Sequence, residues 1–115
     1  MNADLRERVE EQLARYEAAT LATCGPAGVQ VSQVAYRAEG LHLLLLIPSG
    51  SDHLFNLEAQ PAAALLTPGW RLDGRAAVCV QNATSRPFQA EVRMEPARLH
   101  ILGEDGRSAA ETVDL

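Results

Sequence analysis

The sequence contains no lysine, and all ten of its positively charged residues are arginines. A chain without lysine cannot form a Schiff base on that side chain, and it lacks the residue with which a P-loop holds nucleotide phosphates. Its fifteen acidic residues give a formal net charge of -5. This balance favours neither nucleic acid nor an anionic membrane surface as a partner.

Cysteine is scarce as well, because Cys24 and Cys79 are the only two and they have no metal-ligand spacing. The N-terminal segment is charged and does not resemble a secretion signal, which predicts that both thiols are buried and reduced in a cytoplasmic protein. Long apolar runs are also missing, since the longest, Leu41–Ile47, is too short to span a bilayer. The sequence shows no metal cluster and no serine–histidine–acid set, so it identifies no catalytic residue.

The chain has 115 residues, which is enough for one domain. Apolar residues recur at helical spacing over 4–17, and Ser51 is a typical N-cap for a short second helix that ends before Pro61. Short apolar or alternating segments separated by turns predict six strands, and Gly74 is expected to form a bulge. The predicted strands cover 20–24, 29–37, 41–47, 62–67, 72–81 and 88–102, the last bent at Pro96, with a loop at 82–87.

This order of elements predicts a small, mainly β barrel over residues 4–102, followed by a loosely held tail at 103–115. Strand Leu41–Ile47 is apolar on nearly both faces, which is typical of a strand buried on two sides. One face can line the barrel interior. A chain this short buries a modest share of its surface, so we expect a second copy of the chain to cover the other face in a homodimer.

Three segments occur in an order that resembles the pyridoxamine 5'-phosphate oxidase-like split barrels. Leu21–Val34 is similar to the first hairpin of that family, and Ser51–Leu57 followed by Gln60–Pro61 is similar to its helix after the third strand. Gly69–Ala76 is similar to the entry into its fifth strand. The resemblance covers residues 5–80 and implies a six-stranded antiparallel split barrel with an N-terminal helix and one short helix.

The resemblance also implies a homodimer that binds FMN in the groove between its subunits. The flavin ring would lie against the second strand and the end of the third, and the phosphate would lie at the start of the short helix, where free amides favour an anion. The residues implicated are Val31, Ser32, Gln33, Val34, Ile47, Pro48, Ser49, Ser51, His53 and Arg71.

The start of the short helix departs from the family pattern. Members of the family have basic residues after the serine, whereas here Ser51 is followed by Asp52 and His53, and another position that is often arginine is Phe55. Asp52 would repel a phosphate, and His53 is the one cation candidate beside it. We therefore expect weak FMN binding that tightens when His53 is protonated.

Two functions remain open at this point. The first is an FMN-dependent oxidoreductase whose flavin carries the redox chemistry. The second is a non-enzymatic dimeric barrel that has lost tight flavin binding and binds another ligand, such as haem, or a protein partner. A haem-utilisation branch of the same superfamily also has a histidine before an Asn-Leu pair, as His53 precedes Asn56 here. Trp70 is expected to be a packing anchor, and His42 and His100 to lie at the surface or an interface.

Overall fold

The computed structural model describes residues 1–80 and 88–115, so the predicted loop at 82–87 lies outside the described residues. Within these ranges the chain forms two helices and seven strands. In chain order they are α1 (Ala3–Ala14), β1 (Ala18–Gly25), β2 (Gly28–Glu39), β3 (His42–Pro48), α2 (Asp52–Ala59), β4 (Ala62–Leu66), β5 (Trp70–Val80), β6 (Gln89–Leu102) and β7 (Ala109–Asp114). No described helix is long and apolar enough to cross a membrane.

The first six strands close into an antiparallel barrel. Their order in the sheet is β3-β2-β1-β4-β5-β6, and β3 also pairs with β6, which closes the ring. All of these pairings are antiparallel. The predicted mainly β, six-stranded antiparallel barrel with an N-terminal helix and one short helix is thereby confirmed.

Strand β6 is long enough to pair with two other strands along the same edge. Its first part, Gln89–Met94, pairs with β3, and its last part, Arg98–Leu102, pairs with β7. The prediction of a loosely held tail at 103–115 is therefore wrong for 109–114, which form β7. The free edge of β6 beyond β3 offers unpaired backbone groups, and pairing satisfies them.

Helix α1 packs across one end of the barrel, on the tryptophan that the sequence suggests as an anchor. Trp70 is fully buried, and its indole N–H donates to the carbonyl of Gln12 at 2.7 Å. The Tyr36 hydroxyl donates to the carbonyl of Leu13 at 2.6 Å. Both bonds hold the last turn of the helix against the barrel, and the Gln12 carbonyl also accepts from the N–H of Arg15, the C-cap residue. Helix α1 ends at Ala14 and not at the predicted residue 17.

The two cysteines are exposed, which contradicts the prediction that they are buried. In β1 the inward positions are Ala19, Leu21 and Thr23, so Cys24 must point outward because side chains alternate along a strand. Composition alone does not determine to which face of a strand a side chain points.

Gly74 marks an irregularity between β5 and β6, and the predicted bulge there is confirmed. The register between the two strands shifts at Asp73/Gly74. A Cβ atom added at Gly74 would overlap the backbone carbonyl oxygen of Glu95. The close approach of the two backbones, not an unusual dihedral angle, therefore requires glycine at this position.

We predict that Gly74→Ala lowers the free energy of unfolding by about 1–3 kcal/mol, as overpacking against backbone does. Urea unfolding followed by fluorescence of Trp70 measures the change. Gly50→Ala is the matched control, because a Cβ there meets no atom within 4 Å. Equal stability of the two variants would contradict the close-approach argument.

Candidate functional site

The site begins with a gap in the pairing of β2. Strand β1 pairs with β2 along Gly28–Ala35, whereas β3 pairs with it only from Ala35 to Glu39. Among the described strands, none pairs with the other edge of β2 over residues 28–34. This open edge of β2 is the split in the barrel.

The backbone groups that face the open edge can be assigned. The N–H of Tyr36 donates to the carbonyl of Glu17, just before β1, at 3.0 Å. Because backbone groups of successive residues point to opposite neighbours in an antiparallel sheet, every second residue from Tyr36 faces β1. The N–H and C=O groups of Val31 and Gln33 therefore face the open edge, where they are available to a ligand.

Beside this edge lies a polar cluster, defined here as Thr23, Ser32, His53 and Asn56, in which Ser32 is exposed and the other three residues are buried. Strands β1 and β2 contribute the two hydroxyls, and helix α2 contributes the other two side chains from positions three apart, which lie on one face of a helix. The His53 ring is 3% exposed. Its Nδ1 lies 2.8 Å from the Thr23 hydroxyl, and its Nε2 lies 2.7 Å from the Ser32 hydroxyl.

Burial makes His53 a poor cation. It lowers the pKa of His53 below the ordinary value of 6.5, and the charge of neighbouring Asp52 offsets that shift only in part. Both ring nitrogens are already hydrogen-bonded to hydroxyl groups. The structure thus directs His53 into the cluster, and its lowered pKa moves the expected tightening of FMN binding to a pH below 6.5.

The start of α2 also lacks the other features of a phosphate site. The Ser51 side chain caps the helix by accepting from the N–H of His53 at 3.2 Å, as the sequence predicts. The N–H of Leu54 is bonded to the Ser51 carbonyl. Asp52 occupies the first turn, and Phe55 is 56% exposed where an arginine would be expected. The residues present therefore do not fit a phosphate group at this helix start.

The remaining sequence-predicted site residues are distributed over three environments. Val34 and Ile47 have buried side chains in the core, so only their backbones could contact a ligand. Pro48 is exposed and Ser49 is partly buried at the end of β3. Arg71 lies on β5, where it contacts Asp73 and His100, and no hydrogen bond among the described residues joins it to the polar cluster.

Sequence reasoning missed Thr23 and Asn56, which are 4% and 0% exposed. The spacing of Asn56 three residues after His53 on a helix was a usable signal, because it places both side chains on one face. Nothing in the sequence indicated that Thr23 would lie opposite them, since that depends on how α2 packs against β1.

The sequence matches no protein-family model and no curated protein. Solved structures match over most of the chain. General stress protein 26 from Bacillus anthracis aligns with a TM-score of 0.74 at 13% identity, covering 96% of this chain and 98% of that one. A general stress protein 26-related protein of the pyridoxinephosphate oxidase family from Clostridium acetobutylicum aligns with a TM-score of 0.71 at 9% identity, covering 100% and 96%. A heme binding protein from Mycobacterium smegmatis aligns with a TM-score of 0.71 at 19% identity, covering 99% of this chain and 59% of that one.

A closed six-stranded antiparallel barrel with an unpaired edge on its second strand is a split barrel. The fold is that of the pyridoxamine 5'-phosphate oxidase-like proteins, as the resemblance in the sequence predicts.

We predict that His53 makes stability depend on pH below neutrality. The pKa of His53 is lower in the folded chain than its ordinary value of 6.5, so the unfolded chain takes up the proton first as pH falls. The stabilisation is complete above pH 6.5 and is lost as pH falls from there toward the lower folded pKa. The loss is at most about 1.4 kcal/mol per pH unit.

Urea unfolding at several pH values between about 5 and 8 gives the free energy of unfolding of the wild type and of His53→Gln. The difference between the two pH profiles is the contribution of His53. His42→Gln is the control, because His42 is exposed and pairs with Glu95. A wild-type pH dependence identical to that of His53→Gln would contradict the prediction.

Proposed function

We propose that this chain binds a flavin through its ring system at the open edge of β2, in a cleft completed by a second copy of the chain. The observation that carries the proposal is the unpaired edge itself. The backbone groups of Val31 and Gln33 face it, and the Ser32 hydroxyl lies beside it. The edge of a flavin ring carries carbonyl oxygens, ring nitrogens and an N–H, which match such a set of backbone donors and acceptors.

The residues at the start of α2 do not fit a phosphate, which predicts that a flavin without a phosphate binds about as well as FMN. Among the described residues at the start of α2, the side chains are an acid, a buried histidine and an exposed phenylalanine. A phosphate there would meet the charge of Asp52 and no cation. The ring therefore provides most of the binding free energy, and the phosphate of FMN contributes little, in keeping with the weak FMN binding expected from the sequence.

A bound flavin would supply the redox chemistry and make the chain an oxidoreductase. The chain's own part is to hold the ring with the open edge of β2 and to exclude water with apolar side chains around it. His53 is buried, so it is not placed to exchange protons with a substrate directly. This arrangement suits hydride transfer without a protein acid or base.

Haem binding, the main alternative, receives less support from the cluster. Both His53 ring nitrogens are bonded to hydroxyls, so ligation of iron by His53 would break one of these bonds and expose a buried ring. His42 is exposed and His100 is partly buried, and their carboxylate partners are Glu95 and Asp73. A haem-binding protein is nevertheless among the structural matches, so haem is the second ligand to test.

We predict that riboflavin and FMN bind with affinities within about threefold of each other, a difference below 1 kcal/mol. Asp52→Arg should tighten FMN binding by about 10–100-fold through a charge-assisted hydrogen bond, while riboflavin binding stays the same. Quenching of flavin fluorescence on titration with protein gives both constants.

Glu58→Arg, at the other end of α2, is the control because it changes the net charge equally. FMN binding that is at least a hundredfold tighter than riboflavin binding would show that the chain has a phosphate site and would contradict the proposal. If neither flavin binds and haem gives a Soret shift, the haem alternative replaces the flavin proposal.

We also propose that the outer face of strands β3-β2-β1-β4 is the dimer interface. Val31 and Leu66 point outward from this face and are 61% and 48% exposed. Leu44 and Leu46 lie on the same face and line a groove of about 1000 Å³. The open edge of β2 borders this face, so a ligand at the edge would lie between the two copies.

We predict that Leu46→Arg dissociates a dimer that the wild type forms at micromolar concentration. An arginine on this face would lose its hydration in an interface of roughly 2,000 Å², whereas in the monomer it stays in water beside Glu91, the register partner of Leu46. Light scattering distinguishes the 12.4 kDa chain from its dimer. Ala109→Arg on β7, outside the face, should remain dimeric. A monomeric wild type would contradict the proposal.

A further inference from the structure

The hydrogen bonds of the polar cluster form a chain in which the donor and the acceptor of each bond can be assigned, starting from Asn56. The backbone N–H of Ala27 donates to Asn56 Oδ1 at 2.8 Å, and Asn56 Nδ2 donates to the carbonyl of Gly28 at 2.9 Å. One backbone donor and one backbone acceptor therefore determine which end of the amide is oxygen. The second hydrogen of Nδ2 points to the Thr23 hydroxyl oxygen at 3.2 Å.

The bond from Asn56 in turn determines whether the Thr23 hydroxyl donates to His53 or accepts from it. Thr23 accepts from Asn56, and its own hydrogen has one acceptor among its described partners, His53 Nδ1 at 2.8 Å. If Nδ1 carried the proton, Thr23 would accept twice and its buried hydrogen would have no acceptor. Buried donors without acceptors are costly, so Nδ1 is the unprotonated nitrogen.

A neutral His53 with an unprotonated Nδ1 carries its proton on Nε2. It donates from there to the Ser32 oxygen at 2.7 Å. The Ser32 hydroxyl is thus an acceptor toward His53, and its own hydrogen is directed away from the ring. Ser32 is exposed, next to the open edge of β2.

We infer that Asn56, Thr23 and His53 are positioning residues that hold the Ser32 hydroxyl as an outward hydrogen-bond donor, whose acceptor is a carbonyl or anionic oxygen of the ligand at the open edge of β2. The identity of the ligand as a flavin rests on the proposed function, whereas the direction of the hydrogen bonds does not. The opposite direction would give different chemistry. Ser32 would then donate to Nε2, as in a serine–histidine pair that activates a nucleophile.

The first test is the tautomer of His53 in the ligand-free chain. Two-bond nitrogen–proton NMR correlations of isotope-labelled protein distinguish the two neutral forms, and His53→Gln assigns the signals. We expect the form protonated at Nε2 in the wild type and in Thr23→Ser. Thr23→Val, which removes the hydroxyl and keeps the shape, should populate the form protonated at Nδ1. The Nδ1-protonated form in the wild type would overturn the inference.

The second test uses riboflavin as the probe. Ser32→Ala should weaken riboflavin binding by about tenfold, the equivalent of one hydrogen bond. Thr23→Val should weaken it less, and Thr23→Ser should bind as the wild type does. Thr20→Val is the matched control, because it makes the same change in the same strand on the opposite face.

The outcomes separate this inference from the proposed function. If the wild type binds riboflavin and both Ser32→Ala and Thr23→Val bind it equally well, the donor role of Ser32 is overturned while flavin binding stands. If the wild type binds no riboflavin, the proposed function and the ligand assigned to Ser32 are overturned. The tautomer measurement then still decides the direction of the hydrogen bonds.

Discussion

Strand β3 is seven residues long and lies beside a β2 strand of twelve, and the split in the barrel follows from this difference. β3 must pair with β6 to close the barrel, and it ends at Pro48, which has no N–H to donate. The first half of β2 is therefore left with one neighbour. A closed barrel normally removes strand edges, so an edge retained here is available for another partner.

The chain enters α2 only three residues after β3 ends, and this short connection brings the helix up to the β1–β2 hairpin. Hydrogen bonds between Asn56 and the backbone of Ala27, in the hairpin turn, and of Gly28, the first residue of β2, hold the two elements together. A buried histidine and a buried amide would be costly in an apolar environment, and here each polar atom has a partner. The same cluster that joins helix to hairpin also orients the hydroxyl at the open edge.

In the proposed flavin site, electrostatics and geometry favour different parts of the ligand. The backbone geometry at the open edge suits a ring, whereas the charges at the start of α2 do not suit a phosphate. In this chain a histidine occupies the position of a basic residue and turns inward, where burial lowers its pKa and two hydroxyls bind it. Recognition of a ligand at the proposed site would therefore depend on directed hydrogen bonds more than on charge.

The sequence by itself determined the six barrel strands, both helices, the N-cap at Ser51 and the bulge at Gly74, because each depends on local periodicity or turn chemistry. Its resemblance to the split barrels also implicated Val31–Val34 on β2. Only the tertiary structure decided that 109–114 pair with β6, that Cys24 faces outward and that His53 is buried between two hydroxyl groups. Register, strand parity and the packing of α2 on Thr23 set these features, and each depends on residues far apart in the chain.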